Sequence, residues 1–180
     1  MSSSAQPTTS FSTSDPATGG NPLALSQNSS PTLPPPVSDE EARYYYGDLP
    51  SAPILVARTS TTPWEMPSGP RAAKEIRPAG GHPIAEAMQG DLPRKLLAIL
   101  DSMEVKWSSL DVVRIGIPVI LWIGVLPGSL SRSDGVIAAF KCREALVECG
   151  ITDDVDVEIC ESVVHRWGSV NTGKFASPGA

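Results

Sequence analysis

Residues Asp111 to Cys160, DVVRIGIPVILWIGVLPGSLSRSDGVIAAFKCREALVECGITDDVDVEIC, decide the fold, because they read in order as strand, strand, helix and strand. Pro118 to Val125, PVILWIGV, is a continuous apolar run of strand length and β-forming composition, which implies burial on both faces. Val105 to Ile115 mixes β-branched residues with Trp107 and is separated from that run by Gly116-Ile117. Gly at the first central position of a tight hairpin turn tolerates positive φ, so the two strands are expected to be antiparallel. Pro127-Gly128 stops the run, and Ser131 or Ser133 caps a helix that reaches about Cys149 and is closed by Gly150. Val136, Ile137, Phe140, Ala145, Leu146 and Cys149 are assigned to its sheet-facing side, and Lys141, Arg143, Glu144 and Glu148 to solvent. The last strand, Asp154 to Cys160, alternates Val155, Val157 and Ile159 inward with Asp154, Asp156 and Glu158 outward, so one face is expected to be wet. A helix between two strands makes a right-handed βαβ crossover, which places those strands parallel.

Upstream, Asp91 to Ser102 reads as a helix with Asp91 as N-cap, Pro93 in the first turn and Leu96, Leu97, Ile99 and Leu100 on one side. A shorter helix from Pro83 to near Gly90 precedes it. The fold class is therefore α/β, a small αββαβ layered unit over residues 83–164, an antiparallel hairpin plus a right-handed βαβ crossover. Residues 41–82 read as a Pro-rich extended arm, because Pro50, Pro53, Pro63, Pro67, Pro70, Pro78 and Pro83 remove amide donors and bias their predecessors to extended conformations. Ser38 to Arg43 offers a short helix, and only Ile54 to Ala57 has room for a strand. Tyr44 to Tyr46, Leu55 and Trp64 are costly to leave in water, so the arm is expected to lie across the domain. A three-stranded sheet leaves two edges, and the Gly47 to Ile76 arm or a second copy of the chain is expected to cover them.

More than half of the first 38 residues are Ser, Thr or Pro and only Asp15 is charged, so residues 1–40 are expected to be a disordered, low-complexity tail. Ser30-Pro31 and its neighbours there are candidates for phosphorylation. Residues 165–180, without apolar periodicity, read as a flexible extension. The net charge of -6 and pI near 4.9 argue against a nucleic-acid partner or an anionic membrane surface, which draw affinity from clustered Lys and Arg. Ile117 to Pro127 falls far short of the ~20 residues that span a bilayer. With no basic n-region followed by an apolar h-region, the expected location is intracellular, cytoplasmic by default.

Cys142, Cys149 and Cys160 lack C-x-x-C spacing and read as small buried hydrophobes. Asp153, Asp154, Asp156, Glu158 and Glu161 lack the calcium-loop pattern, and a solvated strand face explains them. His82 and His165 are far apart and no Ser sits in a strained nucleophile turn, so no catalytic residue, metal site or cofactor is expected. The one candidate site is the strand-to-helix loop 127–135, in which Gly128, Ser129, Ser131, Arg132 and Ser133 could hold a phosphate at a helix N-terminus. Against it, the loop matches neither phosphate-loop pattern, Asp134 puts a negative charge there, and helix capping accounts for the Ser and Asp residues. Pro50-Ser51-Ala52-Pro53 matches a bare P-x-x-P ligand pattern, which chance supplies often.

The phrases YYYGDLPSAPILVAR, TTPWEMPSGP, KEIRPAGGHPI, LLAILDSMEVKWSSLDVVRIG, PVILWIGVLPGSLS and DVDVEICESVV, spread over about residues 44–164, resemble a group of uncharacterised fungal proteins. The resemblance implies a domain that, in longer members, precedes a segment resembling a trypsin-like serine protease; it carries over no catalytic residue. Members of that group have a longer connection than Gly116-Ile117 and continue beyond the position of Val164, so the resemblance implies a truncated N-terminal part of a longer protein. The functional expectation is a non-catalytic accessory or protein-interaction domain, with self-association through a sheet edge as one mode. The alternative is a small ligand- or phosphate-binding domain that uses the 127–135 loop.

Overall fold

The computed structural model describes residues 33–47, 49–68, 74–152 and 155–162. Most of the expected tail, with Ser30-Pro31, and the expected C-terminal extension lie outside the described residues. The elements are α1 (Asp39–Tyr44), β1 (Ile54–Arg58), β2 (Ile76–Pro78), α2 (Pro83–Ala87), α3 (Leu92–Ser102), β3 (Trp107–Ile115), β4 (Val119–Val125), α4 (Arg132–Glu148) and β5 (Val155–Glu161).

Local chemistry sets the element ends. Ser38 Oγ accepts from the Glu41 amide to start α1, with Asp39, Glu40 and Glu41 in the first turn where the helix dipole favours acids. Ser131 caps α4 in the same way through the Asp134 amide. At the other end of α4, Gly150 takes φ +80 while its amide donates to Val147 O and the Ile151 amide donates to Leu146 O. That pair of bonds is a Schellman motif, sealed by the buried Ile151 side chain. Asp91 departs from expectation: its carboxylate does not cap α3 but accepts from Arg94 at 2.9 Å.

The sheet has the order β1-β5-β4-β3-β2, with β4 and β5 parallel and the other neighbours antiparallel. From Arg114↔Val119 to Ser109↔Gly124 the β3–β4 register is constant, which centres the hairpin on Gly116-Ile117. Gly116 has φ +73, the left-handed conformation that such a turn demands. The three core strands and their crossover helix therefore match the sequence pattern. The arm supplies both flanking strands: β1 pairs the free side of β5 and β2 pairs the end of β3. β2 was not expected, since a proline-dense segment disfavours strands; it survives because it is three residues long, sits at the outer edge and carries Pro78 as its last residue.

Strand alternation sorts the buried residues into two clusters. Val119, Leu121, Ile123 and Val125 of β4 and Val155, Val157 and Ile159 of β5 pack with Leu96 and Leu100 of α3 and with Val136, Ala138, Ala139, Cys142, Ala145 and Leu146 of α4. On α4 the sheet-facing side is made of smaller residues than expected, and Ile137 is 39% exposed. Gly135 explains why the helix can lie so close, because a Cβ there would meet Val56 Cγ1 at 2.9 Å and Ala57 Cβ at 3.2 Å. The second cluster joins Ile115, Ile120 and Cys160 to Val37, Ala42, Tyr46, Leu49 and Leu55, with Trp122 and Tyr45 packed against it. Packing thus begins at Val37, within the stretch expected as tail. The expectation that one face of β5 is wet is overturned: Glu158 is 1% exposed, because α1 and the tyrosines after it cover that face.

Candidate functional site

A cluster of titratable side chains lies on that covered face. The sheet register sets Glu158 of β5 beside Trp122 of β4 and Arg58 of β1. Tyr45 and Tyr46 follow directly on α1, and their hydroxyls donate to the two oxygens of this one carboxylate, Tyr45 to Oε1 at 2.5 Å and Tyr46 to Oε2 at 2.9 Å. Trp122 Nε1 donates to the Tyr46 hydroxyl oxygen at 2.9 Å, so that hydroxyl is used as both donor and acceptor. The rings meet edge to face, with centroids 5.0 Å apart for Tyr45–Tyr46 and 5.8 Å for Tyr46–Trp122. Arg58 pairs with Glu41 of α1 at 2.7 Å and donates to Ser60 O at 2.9 Å. The Lys74 ammonium sits 3.3 Å from the Tyr45 ring centroid and 5.5 Å from that of Tyr46.

Burial governs the electrostatics. It raises the Glu158 carboxyl above its ordinary value, against the lowering effects of the Tyr45 bond, the Lys74 charge and the Tyr46 bond. It raises both tyrosine hydroxyls as well, with the Glu158 charge adding to the shift. Lys74 is lowered by burial, with Glu158 pulling the other way. Cys160 beside Tyr46 is pushed up to about 12, again by burial first, and Cys142 on the opposite face to about 12. The hydroxyls therefore stay protonated, the thiols stay inert, and both carboxylate oxygens are occupied. This arrangement suits holding chain segments together better than proton transfer, since a general base must come within reach of a substrate proton and Glu158 is fully buried.

The residues of the 127–135 loop come together at the carboxyl end of β4, but their polar groups face one another. Gly128, at φ +66, donates its amide to Glu161 Oε1 at 2.9 Å, so a carboxylate stands on the amide. Ser129 Oγ donates to Leu126 O at 2.6 Å, and Ser131 Oγ donates to Asp134 Oδ2 at 2.6 Å while capping α4. Arg132 pairs with Asp39 of α1 at 2.7 Å, and Ser133 is exposed. A cleft of about 470 Å³ alongside is lined by Ser51, Ala52, Pro53, Ile54, Pro127, Glu161 and Ser162. P-x-x-P residues Pro50 to Pro53 thus form the turn into β1, and Ser51, Ala52 and Pro53 form one wall of this cleft.

Of the other acids expected on a wet strand face, Asp156 accepts from Thr59 Oγ1 at 3.2 Å and from Arg143 Nη1 at 3.3 Å. Asp153 and Asp154 lie outside the described residues. Among the described residues no group of three His, Cys, Asp or Glu is placed to hold a metal, and no helix is long and apolar enough to cross a membrane. The tyrosine–glutamate cluster escaped the sequence reading. The one signal was three consecutive tyrosines with nothing local to pack on, since Glu158 between Val157 and Ile159 looks no different from Asp156 between Val155 and Val157. In comparison with known proteins, no protein-family model, curated protein or solved structure matches the chain.

Proposed function

We propose that the chain is a non-catalytic accessory or protein-interaction domain, working in a reducing intracellular setting. The observation that carries this reading is the enclosure of Glu158: it is 1% exposed, with a tyrosine hydroxyl on each oxygen, so the acid most perturbed by burial is shut off from any substrate. The free thiols of Cys142, Cys149 and Cys160 support the reducing setting. For a partner, the sheet offers the outer side of Trp107–Val112, because β2 pairs only Val113, Arg114 and Ile115 of the nine-residue β3. An added strand, supplied first by a second copy of the chain, would satisfy the backbone groups there. Sedimentation of the full chain tests this: the expected result is a mass that rises with concentration and falls back when Trp107, 37% exposed near that edge, is changed to Lys. Turnover of a phosphorylated metabolite, lost on Arg132→Ala, would overturn the reading.

The alternative, a phosphate-binding loop, rests on the Gly128 amide, which already holds one anion in the form of Glu161. It predicts thermal stabilisation by inorganic phosphate that strengthens in Glu161→Gln and disappears in Arg132→Ala. No shift in either protein would remove it.

A further inference from the structure

The segment Leu33–Gly47 is tied to the sheet at few points, and the ties converge. α1 has six residues, far below the roughly 12–15 at which an isolated helix holds its shape, so its structure depends on its attachments. These are Tyr45 and Tyr46 on Glu158, Tyr46 on Trp122, Glu41 on Arg58, the burial of Val37 and Ala42, and the pair of the 96% exposed Asp39 with Arg132 of α4, which solvent screens. Beneath them lie Ile120, Trp122 and Cys160. The rest of the sheet is held independently, since Leu121, Val157 and Ile159 pack with α3 and α4 on the other face. Lys74 reaches the same spot from a distant part of the chain, two residues before β2.

We propose that Leu33–Gly47 is a cover that opens as a unit while the sheet stays folded, and that Lys74 is the pin that holds it shut by seating its ammonium on Tyr45 next to buried Glu158. The charges facing Glu158 leave Lys74 that role. Arg58 from β1 pairs with Glu41 and Ser60 and lies farther from the Tyr45 ring than Lys74, 5.6 Å against 3.3 Å to the centroid; Asp156 on β5 adds negative charge, and Tyr45, Tyr46 and Cys160 carry none. Burial opposes charge on Glu158 and on Lys74 alike, and each offsets that penalty for the other. Removing the cation leaves the carboxyl buried without a counter-charge, a penalty on its charged form that admitting water by lifting the cover relieves.

Cys160 under the cover and Cys142 on the buried side of α4 report on the two faces separately. Burial is the first cause of the raised pKa of each thiol, so each is alkylated when its own face opens, and the change in each rate on substitution reads access. The experiment is pulsed iodoacetamide labelling of the full chain with peptide mass spectrometry. The expected result is that Cys160 labels faster than Cys142 in the unaltered protein, and that Lys74→Met raises the Cys160 rate roughly tenfold, the scale of a partly desolvated cation on an aromatic face, without moving Cys142. Lys74→Arg keeps the cation and restores protection. In a Glu158→Gln background Lys74→Met has no further effect, since the charge it answers is gone. Equal rates at the two thiols in the unaltered protein overturn the proposal, because the cover then opens only with global unfolding. A Lys74→Met effect that moves both thiols together overturns it too, because Lys74 then merely supports the fold.

Discussion

Replacing Tyr46 by Phe removes one oxygen atom from a side chain that is 1% exposed, and the structure sets the cost. That hydroxyl donates to Glu158 Oε2 and accepts from Trp122 Nε1, each at 2.9 Å. The ring remains, so packing against Ile120 and Leu55 is retained and little area is lost. A hydrogen bond to a charged group contributes about 1.5–3 kcal/mol, and a buried partner left without one costs a further 1–3 kcal/mol. Phe at position 46 deprives two partners at once, Glu158 fully buried and Trp122 partly so, which gives a destabilisation of about 3 kcal/mol. For a packed part of this size that lowers Tm by roughly 10 °C. Urea unfolding followed by far-UV circular dichroism is the assay, with an unchanged m-value as the sign that the two end states are preserved. Tyr44→Phe is the control, since Tyr44 is 46% exposed and its loss should fall within about 0.5 kcal/mol of zero. A Tyr46→Phe loss below about 1 kcal/mol would refute the reasoning, because the hydroxyl would then be no better bonded inside than in water.

The pH dependence follows from the direction of the Glu158 shift. A carboxyl raised on folding contributes stability that is fully present below its unfolded value and is lost as pH rises through its folded value. Glu158→Gln should therefore gain on the unaltered protein as pH rises from acid, measured as the difference in urea midpoints, and a constant difference would count against the shift. Gly116→Ala should cost about 1 kcal/mol through its φ of +73 alone, since nothing lies within 4 Å of the added Cβ. Gly135→Ala should also destabilise although Ala favours helix, because its Cβ meets Val56 and Ala57; a gain in Tm would show that β1 yields easily. Arg132→Ala should leave Tm unchanged, as its partner Asp39 is 96% exposed.

The elements from Leu92 to Glu161 were legible because their signals are local. An apolar run names β4, a Gly at the turn sets the hairpin register, a Ser cap starts α4 and Gly150 ends it. The parallel pairing of β4 with β5 follows from the length of the helix between them. The need to cover the sheet edges was legible too: β1 pairs the β5 edge, while β2 covers only Val113 to Ile115 of β3. Period-two alternation also placed Glu158 correctly on the face opposite Val157 and Ile159. Whether that face is wet could not be read locally. It depends on Tyr45 and Tyr46, which stand 113 and 112 residues earlier in the chain, and on Lys74, which arrives from the other flank of the sheet. Amino-acid order alone determined a small α/β unit, its strand pairing at the centre and its helix ends, because these depend on neighbours within a turn or a hairpin. Only the tertiary structure decided that a solvent-facing carboxylate becomes a buried anchor, because burial is a property of whatever chain crosses above it.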